Sequence, residues 1–133
     1  NQAIGAGMIG IWEAAGDLNA FLALCKKQFK TGLIRHTADL GKNIHKVAIC
    51  GGSGSFLTKN AIKQGADVLL TSDFKYHQFF DAEAKIVLID IGHYESEQFT
   101  MDLLLEHLAE KFPTFAVLKT SVSTNPVNYL WHK

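Results

Sequence analysis

His93 and Glu97 stand four residues apart directly behind an apolar run, Ile86–Ile91, in the stretch Asp90-Ile91-Gly92-His93-Tyr94-Glu95-Ser96-Glu97. On a helix, residues four apart share a face, with Cβ atoms about 6 Å apart. One imidazole nitrogen and one carboxylate oxygen can then meet a single cation, and that donor pair suits zinc, iron or manganese. The same spacing also describes a histidine at a helix start followed by a solvated glutamate, so spacing alone leaves both readings open. Asp73 and His77 repeat the interval in Thr71-Ser72-Asp73-Phe74-Lys75-Tyr76-His77. They can orient a ligand, accept a proton or support a metal ligand from behind, with Tyr76 and Lys75 beside them for a planar or anionic substrate. The plainer reading makes Asp73 the cap of the following helix. A third candidate is Gly51-Gly52-Ser53-Gly54, where backbone N–H groups at a strand-to-helix turn can receive an anion. It lacks the Lys and Ser/Thr of a P-loop and the full spacing of a dinucleotide fingerprint, so a tight turn explains it equally well. Cys50 reads as a small buried hydrophobe. His36, His45, His107 and His132 have no partner at a telling spacing.

Such residues need a scaffold that brings three loops together. Apolar runs at Ile4–Trp12, Leu33–Thr37, Lys46–Cys50, Val68–Leu70, Ile86–Ile91 and Phe115–Val122 predict strands. Between them, Asp17 caps a predicted helix carrying Leu18, Phe21, Leu22, Leu24, Cys25 and Phe29 on one side. Lys26, Lys27 and Lys30 sit where they complement its dipole. Further helices are expected over Ser55–Gln64, closed by Gly65, over Phe74–Ala84, and over Glu95–Phe112. Unbroken apolar strands alternating with helices describe βαβ units: a three-layer α/β fold with a largely parallel β-sheet, helices on both faces and right-handed crossovers. The three candidate loops then follow three successive strands at the carboxyl edge, where open α/β sheets collect ligands.

The 133 residues suit a single α/β domain, 1–133, with 47% hydrophobic and 20% charged residues. Thirteen basic residues balance thirteen acidic ones. This removes the main electrostatic reason to expect direct nucleic-acid or anionic-membrane binding. Two cysteines make no disulfide framework, and no apolar run approaches the ~18 residues of a membrane span, so a cytoplasmic setting is expected. The chain opens Asn1-Gln2-Ala3-Ile4 inside an apolar, Gly-rich stretch, which suggests a C-terminal fragment of a longer protein.

The series Gly5-Ala6-Gly7-Met8-Ile9-Gly10, Val47-Ala48-Ile49-Cys50-Gly51-Gly52-Ser53-Gly54, Gly65-Ala66-Asp67-Val68, Thr71 to His77, Asp90 to Glu97, and Asn125-Pro126-Val127-Asn128-Tyr129 resembles the C-terminal half of the NIF-three-like dinuclear-metal-centre proteins. These are also known as type 2 GTP cyclohydrolase I homologues. The resemblance implies one half of a two-lobed metal-binding protein, with two divalent metal ions per full-length subunit in the cleft between the halves. It also implies assembly into homo-oligomeric, hexameric rings. It makes His93 and Glu97 metal ligands and assigns the remaining ligands, a His pair and an acidic residue, to the other half. This sequence has no His-His pair.

Three functions follow as expectations. The first is the C-terminal domain of a metal-dependent, hydrolase-like protein acting on a small molecule such as a nucleotide. In it Asp73, Tyr76 and His77 would serve as cleft groups and Gly51 to Gly54 would approach an anionic part of the substrate. The second is a metal-binding oligomeric scaffold or regulatory interaction protein. The third is a flavodoxin-like binder that uses the same rim without metal.

Overall fold

The structure is a computed structural model and describes residues 5–130; Ile4, where the first strand was expected to begin, and His132 lie outside them. The described residues fall into two compact units, divided in sequence between Ser96 and Glu97.

The first unit is built on β1 (Met8–Gly16), α1 (Leu18–Gln28), β2 (Arg35–His36), β3 (Ile44–Ser53), α2 (Thr58–Lys63), β4 (Val68–Ser72) and β5 (Val87–Asp90). Its five-stranded sheet runs β1-β3-β4-β5-β2. The central pairs β3–β4 and β4–β5 are parallel, and both edge strands join antiparallel. Every residue of β4 and β5 is buried, because the sheet is covered on both faces there. Val68, Leu70, Val87 and Ile89 pack with Leu18, Phe21 and Cys25 of α1 on one face. Leu69 and Leu88 pack with Ala61, Ala66, Phe74 and Ala82 on the other.

Local chemistry sets the ends of these elements. Asp17 Oδ1 accepts the N–H of Ala20 at 2.8 Å and starts α1, whose last turn carries Lys26 and Lys27. Gly65, at φ +70°, takes the left-handed position that closes the α2 region.

Four elements differ from expectation. The glycine-rich stretch is not a loop: β3 continues through Gly51, Gly52 and Ser53, and only Gly54 stands before a 3-10 turn, Ser55–Leu57, that leads into α2. Gly54 is required by close approach, since a Cβ there would lie 2.3 Å from Thr71 Oγ1 and 2.7 Å from Cys50 Cβ. The segment expected as a helix over Phe74–Ala84 is a 3-10 helix, Tyr76–Ala82. The long helix expected over Glu95–Phe112 is two, α3 (His93–Glu97) and α4 (Thr100–Lys111), separated by a turn at 98–99. Residues 115–122 form no strand. The second unit thus contains α4 followed by irregular chain to residue 130.

Candidate metal centre

The register of β4 on β5 pairs Thr71 with Asp90, so the chain leaving each strand emerges at the same edge of the sheet. Asp73 follows β4 and His93 opens α3 after β5. Their side chains meet: His93 Nδ1 lies 2.6 Å from Asp73 Oδ2, with both residues about half exposed. A helix cap was one of the two readings that the sequence left open for Asp73. Instead the following 3-10 helix starts from Lys75, and the Asp73 carboxylate turns across to His93. Asp73 adopts φ +59°, a left-handed conformation that aspartate tolerates better than most residues but that still costs energy.

Behind this pair, Asp90 is buried and fully engaged. It forms an ion pair with Arg35 of β2, accepts the Phe74 N–H on Oδ2 at 3.0 Å, and accepts the Gly92 N–H on Oδ1 at 3.1 Å. Arg35 Nη2 also donates to the Phe74 carbonyl at 3.1 Å, and its guanidinium lies 5.4 Å from the centre of the Phe79 ring. A buried carboxylate is tolerable only with partners of this kind.

The third loop joins through Ser96. Its Oγ accepts the Gly52 N–H at 2.8 Å and donates to the His93 carbonyl at 2.8 Å. Thr71 donates to the Gly52 carbonyl at 2.9 Å, so both backbone groups of Gly52 are occupied by protein. Gly51 and Ser53 are exposed and Gly54 is buried.

His77 is not brought to Asp73. A 3-10 helix beginning at Tyr76 breaks the four-residue helical relation, and the exposed His77 ring meets the Tyr76 ring edge-on at 5.2 Å. Tyr76, 72% exposed, also meets Phe80 edge-on at 5.5 Å. Glu97 is the exposed last residue of α3 and the first of the second unit.

Arg35 and Ser96 were not singled out by spacing. A single acid inside the apolar strand Val87-Leu88-Ile89-Asp90 signals that a donor must come from elsewhere, but which donor depends on the edge strand that pairs with it.

The donor chemistry suits a divalent metal. A metal-bound histidine commonly donates its other ring N–H to a carboxylate, and the contact of His93 Nδ1 with Asp73 is compatible with that arrangement. The donor count does not complete a shell. Among the described residues, no group of three or more His, Cys, Asp and Glu side chains is placed to hold an ion.

The family model described as Duf34/NIF3 (NGG1p interacting factor 3) matches residues 1–126. A Staphylococcus epidermidis protein named GTP cyclohydrolase 1 type 2 homolog is 35% identical over 131 residues, covering 94% of this chain and 35% of that protein. A Campylobacter jejuni protein of the same name is 40% identical over 115 residues, covering 83% of this chain and 45% of its own. Among solved structures, Staphylococcus aureus protein SA1388 aligns with a TM-score of 0.80 at 28% identity, over 93% of this chain and 42% of its own. A Bacillus cereus protein related to NIF3 aligns with a TM-score of 0.79 at 27% identity, over 95% of this chain and 36% of its own. The chain therefore spans less than half the length of each of these relatives.

Proposed function

Because the chain belongs to the Duf34/NIF3 (NGG1p interacting factor 3) family, we propose that it supplies one side of a divalent-metal cleft in a hydrolase-like protein. His93, through Nε2, and Glu97, through its carboxylate, hold metal from this side. Asp73 holds His93 Nδ1 and so selects the tautomer that can bind. Bound ions would supply Lewis-acid activation of a water and polarisation of the bond to be broken. Tyr76 and His77, exposed one turn beyond Asp73, present a ring and a proton-transfer group to the substrate. Gly51 and Ser53, exposed at the end of β3, are the positions of the glycine-rich stretch that an anionic part of the substrate can approach. A nucleotide is the substrate class favoured by the name of the relatives, GTP cyclohydrolase 1 type 2 homolog.

The observation that supports this reading most is the 2.6 Å contact between His93 Nδ1 and Asp73 Oδ2. A solvated surface histidine needs no such partner, whereas a ligand histidine does. The test uses the whole protein that carries this chain, with His93→Ala and Glu97→Ala. Metal content after dialysis and turnover of a nucleotide and phosphoester panel are then measured. Both variants are expected to lose metal and turnover while keeping their assembly state; unchanged metal content in both would refute the reading. If the parent binds metal and assembles but turns over nothing, the scaffold reading takes its place.

A further inference from the structure

Asp90 is the one ionisable residue in the buried strand β5 and is only 4% exposed. Two of its hydrogen bonds go to backbone N–H groups at telling places. Phe74 directly follows Asp73, and Gly92 directly precedes His93. One carboxylate therefore grips the chain one residue away from each member of the Asp73–His93 pair. Arg35 holds the same region from the other direction: it is ion-paired to Asp90 and donates to the Phe74 carbonyl. The N–H and the C=O of Phe74 are thus both fixed by the Arg35–Asp90 pair. A buried carboxylate is a poor source of stability compared with apolar packing, even with a half-exposed arginine beside it, so the presence of Asp90 in an apolar strand points to a positional role.

We propose that Arg35 and Asp90 are positioning residues for the candidate ligand His93. By holding Phe74 and Gly92 they keep Asp73 in its left-handed conformation and within hydrogen-bond reach of His93, and so maintain the Nδ1–H tautomer. The purpose of this clamp rests on the metal reading above, but its action does not require metal.

Arg35→Gln is the informative variant, because the Arg35 side chain is half exposed and its loss leaves the core packed. Asp90→Asn is the second. In the whole protein without metal, the fold is checked by circular dichroism. The His93 tautomer is then read from its imidazole nitrogen shifts, and amide exchange is followed at Phe74 and Gly92; zinc affinity is measured afterwards by titration. The parent should show the Nδ1–H form of His93. Folded Arg35→Gln should show a mixture of tautomers, roughly tenfold faster exchange at Phe74, and about tenfold weaker zinc binding. A role confined to stability would lower the melting temperature without moving the tautomer. The proposal is overturned if folded Arg35→Gln keeps the parent's tautomer and affinity, or if Arg35→Gln prevents folding, which would make the pair a core prop. If the tautomer shifts while even the parent binds no zinc, the clamp stands and the metal reading fails.

Discussion

Asp73 joins a strained backbone to a hydrogen bond with His93, and these two properties can be separated by substitution. At φ +59° a residue with a Cβ is held in a sparsely populated region, at a cost of about 1 kcal/mol or more. Glycine accepts that conformation freely but offers no carboxylate. Asp73→Gly is therefore expected to leave the stability of the fold unchanged within about 1 kcal/mol, as the relieved strain offsets the lost, half-exposed bond to His93. Metal affinity at His93 should nevertheless fall by about tenfold or more. Urea unfolding and zinc titration on the same preparation check the two halves. A variant that binds zinc as tightly as the parent would show that Asp73 does not support His93.

At the scale of elements, Asp67 shows how a lead-in residue ties two strands together before the ladder begins. Its Oδ2 accepts the N–H groups of His45 and Lys46 at 3.0 and 2.8 Å, and its Oδ1 lies 3.1 Å from the Lys42 ammonium. Partial burial pushes the carboxyl pKa up. The Lys46 and His45 N–H groups and the Lys42 charge outweigh it and hold the group below its ordinary 3.8. Since the folded pKa is depressed, the unfolded chain binds more protons once the pH drops below about 4. The contribution of Asp67 is fully present above that pH and is lost as the pH falls through the folded pKa. Asp67→Asn is thus expected to cost about 1–2 kcal/mol at pH 6, with parent and variant converging towards pH 3 and below. Urea midpoints at the two pH values check this, and an equal gap at both would exclude the charge as the cause.

The same scale explains what could be read without coordinates. Val68–Leu70 and Ile86–Ile91 were legible as buried strands because both faces of the sheet are covered there, and Asp17 was legible as a cap because its carboxylate serves the helix it precedes. Gly51-Gly52-Ser53 looked like a loop because glycine depresses strand propensity, yet the chain stays extended where Thr71 and Ser96 take up the backbone groups of Gly52. The break at 98–99 carries neither glycine nor proline and left no mark in the pattern. Residues 115–122 open with the apolar run Phe115-Ala116-Val117-Leu118, but a strand exists only with a partner ladder, and an apolar run does not supply one. At the site, the placement of Asp73 and His93 after successive strands was legible from the sequence. The crossing of Asp73 to His93, and the part of Arg35, depend on strand register and could not be read from spacing.

For the molecule as a whole, the decisive quantity is the number of metal donors. A catalytic zinc ion takes about three protein ligands, and a bridged pair needs more. On the reading proposed above this chain would offer His93 and Glu97, and no described group of three or more candidate donors converges. Its relatives carry more than half of their length outside the matched region, which leaves ample chain to bring the remaining ligands. No described helix is long and apolar enough to cross a membrane, and the formal net charge is zero. The 133-residue chain alone should therefore bind zinc or manganese at least about 100-fold more weakly than the whole protein, since even the loss of an outer hydrogen-bond partner costs 10–100-fold. Isothermal titration of both forms makes the comparison, and adding the missing part of the protein as a separate polypeptide should restore tight binding. Tight uptake of two ions by a monomer of this chain would mean that its own side chains can rearrange into a complete site, and the shared-cleft reading would have to be abandoned.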